Sequence, residues 1–301
     1  MASDPLCDAH CHFFSSRFLE LLTGGGSDAE PDRADTVSAM LGWAAPGSAE
    51  ALADRWVAEL DKHGVSRAAL IASIPGDEGS VATAVARHPS RFVGFFMANP
   101  LQTDGPARID AGFTEHRLRA VALFPAMHGY RLSTDVAVRA FEAAAANRGA
   151  VFVHCGMLSV GVRKKLGLPS PFDLRNGEPL GVARLAGLFP SVPVIIPHFG
   201  AGFFHETLMA VDQAPNIHLD TSSSNSWIKY HPGLTLEQVF RQALAVAGPD
   251  RLLFGTDSSF YPRGWQKPVY DAQLAALDAI GVSAADRARI LGGNFQRLFP
   301  A

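Results

Sequence analysis

Cysteine is scarce in this chain, with only Cys7, Cys11 and Cys155 in 301 residues. So odd and sparse a set excludes a disulfide framework and suits a reducing compartment, with the thiols read as small buried apolar groups. Charge of one sign is also lacking: the formal net charge is −3 and the pI about 6.4. There is no basic stripe to track a phosphate backbone and no block of like charge to form an interaction tail. No run reaches the ~18 apolar residues that a membrane helix needs. The N-terminus shows no basic stretch followed by an apolar one, so it does not read as a secretory leader. The expectation is a cytoplasmic protein with a small-molecule substrate and neither nucleic acid nor membrane as partner. Phosphate-cradling loops are missing too, since no G-x-G-x-x-G or G-x-x-x-x-G-K-[ST] follows an apolar run. Gly24-Gly25-Gly26 lies in a long polar segment, 23–48, with no helix start behind it, and reads as loop punctuation.

Apolar residues, by contrast, make up 48% of the chain, enough for a large core. They recur as short β-rich runs at 6–13, 68–74, 92–99, 120–125, 150–155, 192–198, 217–222 and 251–257. Helical patterns alternate with them at about 49–63, 78–88, 105–117, 134–147, 179–189, 203–213, 235–247 and 267–280, and a last helix follows at about 283–292. Runs such as Val192-Pro193-Val194-Ile195-Ile196-Pro197 and Ala150-Val151-Phe152-Val153 are continuously apolar, as parallel strands covered on both faces are. Eightfold alternation predicts a TIM-type (β/α)8 barrel with an additional C-terminal helix, in one domain over 1–301. A doubly wound open sheet is the alternative. Two loops are long, 156–179 and 223–235; both leave the C-terminal ends of strands, where a barrel builds its active site.

The histidines then sort by address. His63, His88 and His116 lie near helix ends and read as structural. His10 and His12, two apart on the first strand, project to one side. His154, His198 and Asp257 each end an apolar strand. A closed barrel brings these five side chains around one mouth, where imidazoles and a carboxylate would share a divalent cation: zinc first, with manganese, iron or cobalt as alternatives. An open coordination position would hold a water whose pKa falls from about 15.7 to about 7.

Asp8-Ala9-His10-Cys11-His12, Val153-His154, Pro197-His198-Phe199-Gly200, Leu253-Phe254-Gly255-Thr256-Asp257 and the terminal Ile290-Leu291-Gly292-Gly293-Asn294 together resemble the amidohydrolase superfamily. The likeness is to its amidohydrolase-related branch, typified by aminocarboxymuconate-semialdehyde decarboxylase. The resemblance implies a (β/α)8 barrel, one metal on His10, His12, His154 and Asp257, and His198 as the catalytic histidine beside it. It also implies that dimers are common. Many binuclear superfamily members carry a carbamylated lysine on the fourth strand. Here that strand reads Ala120-Val121-Ala122-Leu123-Phe124-Pro125-Ala126, which favours a mononuclear site.

Substrate contacts are expected from Arg163 and Arg175, with Lys164 and Lys165 on the same loop, as clamps for a carboxylate. Further candidates are Trp227, in a possible aromatic wall with Phe260, Tyr261 and Trp265, and His128 just past the fourth strand. Asp220 and Ser222 end the seventh strand, where they could hydrogen-bond to metal ligands. Three functions fit. One is a metal-dependent hydrolase in which Asp257 or His198 moves the proton. Another is a non-oxidative decarboxylase using the same residues. The third is a barrel that binds a metal or small acid without turnover, disfavoured by the intact ligand set.

Overall fold

The apolar runs are strands in the computed structural model, which describes residues 5–24, 32–222 and 225–300. The strands are β1 (Leu6–Phe13), β2 (Val65–Ala72), β3 (Phe92–Ala98), β4 (Ala120–Leu123), β5 (Ala150–Val153), β6 (Val194–Ile196), β7 (Ile217–Asp220) and β8 (Leu252–Leu253). Each pairs in parallel with the next in chain order. Beyond β8 the chain runs on beside β1: Ala9 N donates to Phe254 O (2.8 Å), Asp257 N to His10 O (3.0 Å) and His12 N to Ser258 O (2.6 Å). These bonds bring the last strand back to the first, so the sheet is a (β/α)8 barrel and the open-sheet alternative is excluded.

Side-chain parity separates two apolar layers. Ala120, Ala122, Ala150 and Phe152 point into the barrel. Val121, Leu123, Val151 and Val153 point outward against the helices. The connecting helices are α1 (Ser16–Leu22), α2 (Arg33–Leu41), α3 (Ala49–Lys62), α4 (Glu78–Arg87), α5 (Gly105–Thr114), α6 (Pro125–His128), α7 (Asp135–Ala146), α8 (Gly161–Lys165), α9 (Pro179–Leu188), α10 (Phe204–Gln213), α11 (Leu236–Ala247) and α12 (Lys267–Ala279). Their starts are chemically marked. Thr235 and Gln238 form a reciprocal capping box on α11, for example, satisfying backbone donors that would otherwise lack partners. No helix among the described residues is long and apolar enough to cross a membrane.

Two expectations change. The polar segment 23–48 is not all loop, because α2 lies within it and buries Ala34, Val37, Ser38 and Leu41, the i, i+3, i+4, i+7 stripe of a short amphipathic helix. Gly25 and Gly26 of the expected loop lie outside the described residues. The final helix also runs further than 292. After α13 (Ala284–Ala288) a π-helical turn over Arg289–Gly293 leads into α14 (Asn294–Leu298). This tail closes the barrel from below, with Phe295 and Phe299 joining the interior layer. Arg67 Nη1 donates to Phe299 O (2.7 Å), and Asn294 Nδ2 ties the tail to Leu252 O (2.8 Å).

Gly292 fits only because it has no side chain. A Cβ there would collide with the Pro5 carbonyl oxygen, whereas one on Gly293 meets nothing nearer than 3.5 Å. Gly292→Ala is expected to destabilise the fold by about 1–3 kcal/mol in denaturant titrations. Gly293→Ala, in helical backbone, is expected to be neutral or stabilising by up to about 1 kcal/mol.

Ser15 caps α1 by accepting from Phe18 N (2.9 Å) while its hydroxyl donates to buried Asp77 (2.7 Å). Burial pushes the Asp77 carboxyl up to about 7, against the pull of hydrogen bonds from Ser80 and Ser15. Its folded pKa therefore exceeds the unfolded one. The associated stability is full below about pH 4 and lost as pH rises through 7, by up to about 1.4 kcal/mol per pH unit. Asp77→Asn should flatten that slope, so that the variant gains on the wild type between pH 4 and 7 in matched melts.

Candidate metal centre

β1 would not present His10 and His12 to the barrel mouth if it were regular. Cys7 and Ala9 face the interior, yet Cys11 and Phe13 face the helices. The pairing with β2 shifts register between Asp8 and Cys11. That irregularity turns His10 and His12 inward, as strand bulges beside active sites do. His10 packs edge-on against Phe152 inside the barrel, with centroids 5.1 Å apart. Asp8 locks the bend from behind, accepting from His10 N (2.9 Å), Thr256 N (3.1 Å), Thr256 Oγ1 (2.5 Å) and Trp265 Nε1 (2.7 Å). Burial still raises its carboxyl to about 6 despite these donors.

Two of the other site residues sit on strained backbone. His198 (φ 57°) and Asp257 (φ 59°) occupy the left-handed region at the ends of β6 and β8. Such conformations cost about 1–3 kcal/mol each and concentrate at functional sites. Gly255 makes the last approach possible, since a Cβ there would stand 2.5 Å from Asp220 Oδ1 and 3.1 Å from the His10 Cβ.

Hydrogen bonds on the far side of each imidazole set its orientation. His10 Nδ1 lies 2.6 Å from Asp220 Oδ2, and an ionised carboxylate only accepts, so Nδ1 carries the proton. Ser73 Oγ donates to Ile71 O (3.0 Å), which leaves it to accept from His12 Nδ1 (2.7 Å). Both Nε2 atoms therefore present lone pairs, and they face each other across 3.3 Å. Asp257 Oδ1 stands 3.0 Å from His12 Nε2 and 3.5 Å from His10 Nε2. Three acceptors converge in this way, with their ligand atoms within 4.8 Å of one another. An ion or a proton must neutralise such a group, and its donor set fits a divalent metal.

Burial alone would raise the Asp257 carboxyl. A proton shared into the His10–His12 pair reverses this, since the His12 hydrogen bond and the positive charge it brings hold the carboxyl well below the usual carboxylate range. Burial works to lower His10, but Asp220 against Nδ1 reverses the sign and raises it. Burial also lowers His198 and takes His154 well below the ordinary range, so both are neutral bases.

These residues line a cavity of about 550 Å³ at the C-terminal mouth. The structure brings His10, His12, His154, His198 and Asp257 together on its wall. His154 stacks on Phe124 (centroids 5.2 Å apart, 22°) and its buried Nδ1 has no hydrogen-bond partner, but it is not part of the tight three-residue set. Asp220 and Ser222 do reach the imidazoles: Ser222 Oγ bridges His10 Nδ1 (3.1 Å) and His198 Nδ1 (2.9 Å).

Four of the expected substrate residues, Arg163, Arg175, Trp227 and His128, are not brought to this cavity. Arg163 turns to the Pro169 carbonyl (2.5 Å). Arg175, 83% exposed, is held by Asp173. Trp227 is buried against Phe204 and His231, and His128 is half-buried at the end of α6, off the cavity wall. Lys165 and Tyr261 do line it, together with Phe14, Trp43 and Arg263, which the sequence had not marked. Arg263 follows Tyr261-Pro262 directly, so proximity to Asp257 was the available signal. Trp43 had none, because its approach depends on the fold of α1 and α2.

The amidohydrolase family model matches residues 7–301. The chain belongs to the amidohydrolase family. No curated protein matches this amidohydrolase. Similar solved structures include 5-carboxyvanillate decarboxylase from Novosphingobium aromaticivorans, complexed with manganese (16% identity, 99% of this chain and 97% of that chain, TM-score 0.65). Another is a probable 2-pyrone-4,6-dicarboxylic acid hydrolase from Acinetobacter baumannii (16%, 98% and 98%, TM-score 0.60). A third is an amidohydrolase from Burkholderia multivorans with bound zinc (14%, 98% and 98%, TM-score 0.64). At these identities the likeness is one of fold.

Because Asp220 orients His10, Asp220→Asn is expected to weaken metal affinity about 10–100-fold, read by competition with a chromogenic chelator. Wild-type affinity in that variant would remove Asp220 from the centre.

Proposed function

We propose that this amidohydrolase is a mononuclear metal-dependent hydrolase of a small organic acid. The observation that carries the reading is the meeting of His10 Nε2, His12 Nε2 and Asp257 Oδ1 at one point, with both imidazoles oriented from behind. His10, His12 and Asp257 are the proposed ligands. His154 is the fourth, and its orphaned Nδ1 supports that role. A mononuclear site is supported by β4 and the residues after it, which offer no lysine to bridge two ions. Zinc is the proposed ion, with manganese second.

When bound, a divalent ion supplies a Lewis acid and brings the pKa of a water to about 7. Asp257, held as a carboxylate, takes the proton of the attacking water. His198 passes a proton to the departing group, its Nδ1 anchored on Ser222 so that Nε2 is the free nitrogen.

Decarboxylation is the second reading. It is favoured by the flat apolar walls of the cavity, among them Phe14, Trp43 and Phe124, which would shelter a ring and exclude water. In that reaction His198 delivers the proton that replaces carbon dioxide. A cytoplasmic location is part of the proposal, supported by three free, buried thiols.

Purified protein is expected to carry about one divalent metal per chain. His198→Ala should cut turnover about 10²–10⁴-fold and keep the metal. If metal leaves with activity, His198 is a ligand instead. A panel of lactones, amides and aromatic or unsaturated acids, assayed for acid release and for carbon dioxide release, separates the two reactions. Carbon dioxide and the matching decarboxylated product, with no acid released from any ester, lactone or amide, would overturn hydrolysis.

A further inference from the structure

The ladder between β7 and β8 ends early. It pairs Leu219 with Leu252 and Asp220 with Leu253, and Thr221 N then donates to Leu253 O (2.9 Å). Beyond that bond, no backbone hydrogen bond joins the two strands among the described residues. Yet the side chains of the mouth lie at and past this point. Asp220 and Ser222 hold the imidazoles of His10 and His198 from the end of β7, and Asp257 follows β8.

A side chain supplies the next rung. Gln273 of α12 is buried, on the inward face it shares with Ala276 and Leu277, three and four residues on. Its Nε2 donates to Thr221 O (2.8 Å) and to Gly255 O (3.0 Å), one carbonyl from each strand. Its Oε1 accepts from Thr221 Oγ1 (2.6 Å). Both amide hydrogens and the amide oxygen are thus engaged. The amide has one orientation, because the reverse would set its oxygen against two carbonyls. Without it both buried carbonyls would lack a donor.

The residues so joined flank the site. Thr221 lies between Asp220 and Ser222. Gly255 leads through Thr256 to Asp257 and is pressed against the same group: a Cβ on it would stand 2.5 Å from Asp220 Oδ1 and 3.1 Å from both the Ser222 Cβ and the His10 Cβ. With so little slack, the spacing of Thr221 from Gly255 fixes that of Asp220 and Ser222 from Asp257. The lower end of β8 gives a contrast. Asn294 Nδ2 also joins two carbonyls, those of Pro249 (2.7 Å) and Leu252 (2.8 Å), but neither adjoins a side chain of the mouth.

We propose that Gln273 is a positioning residue: a side-chain rung that continues the β7–β8 ladder and sets Asp220 and Ser222 at their distance from Asp257. It acts through Thr221 and Gly255 and touches none of the groups it aligns. That these groups serve a metal rests on the reading above; that Gln273 spaces them does not.

The test compares two buried amides in the full-length protein. Gln273→Met and Asn294→Leu each leave two carbonyls without their donor. Chelator-treated protein is reloaded with cobalt alone, well below the melting point of either variant, and followed by its visible spectrum and by chelator competition. Hydrogen exchange of peptides covering 220–222 and 255–257 is read on the metal-free protein. Gln273→Met is expected to weaken cobalt affinity about 10–100-fold, to alter the cobalt spectrum and to speed exchange in both peptides. Asn294→Leu should lose thermal stability yet keep wild-type affinity, spectrum and exchange there. Equal losses in the two variants would make Gln273 a matter of general stability and overturn the proposal, as would wild-type exchange in Gln273→Met. Should Gln273→Met fail to fold, Thr221→Val removes only the bond that fixes the amide. It is expected to speed exchange in the same peptides and weaken cobalt severalfold, and wild-type exchange there overturns the proposal. Wild-type protein that takes up no cobalt, with the exchange contrast intact, supports the rung while removing the metal-centre reading.

Discussion

Two imidazole lone pairs and a carboxylate oxygen are held where they repel one another, and much of this structure keeps them there. His10 Nε2 and His12 Nε2 face each other at 3.3 Å, with Asp257 Oδ1 beside them. Left to relax, the rings would rotate apart. Asp220 and Ser73 prevent that by occupying the opposite nitrogens, so that turning either ring would break a buried or half-buried hydrogen bond. The local arrangement is unfavourable alone and becomes favourable with a cation, which is the usual design of a preorganised metal site.

Barrel closure serves the same end. Asp257 belongs to the last strand and the two histidines to the first, so their meeting depends on the seam between β8 and β1. That seam is irregular: the formal ladder of β8 is two residues long, and bonds from His12, Asp257 and Ala9 finish it. Asp8 cross-links the seam through both its oxygens to Thr256 and Trp265. A buried acid with four donors is a costly group to place, and its position behind His10 explains why the chain keeps it. The positive φ values of His198 and Asp257 belong to the same account, because the rigid barrel over-determines backbone that would otherwise relax.

Much of this was legible in the sequence. Strand–helix alternation pointed to the barrel, because parallel strands buried on both faces must be continuously apolar. Polar residues at the ends of such strands marked the five side chains of the mouth. Asp220 and Ser222 were legible as polar residues ending β7. The bulge in β1 was not, since an H-x-H pattern reads the same with or without it. Of the cavity wall, only Lys165 and Tyr261 were legible. Arg163 and Arg175 are the residues that charge and loop position select, but backbone and Asp173 contacts already occupy them. Lys165 differs from Arg163 only in helical phase, which becomes visible once Val162 is known to be buried. Trp43 is brought in by α2, a helix whose short apolar stripe is easily lost in a polar segment.

The centre and the wall make different contributions to function. The acceptor triad, His198 and Ser222 suit either candidate reaction. The Ser222 hydroxyl lies within reach of His198 Nδ1, and a hydroxyl rotates to donate or accept. If it accepts, His198 Nε2 presents a lone pair and serves as a base; if it donates, Nε2 carries a proton and serves as an acid. A full cycle of either reaction uses both forms: the acid when a leaving group or a carbon is protonated, the base when the proton is regained. One floor therefore supports both chemistries, and the choice passes to what the wall admits and how it is turned.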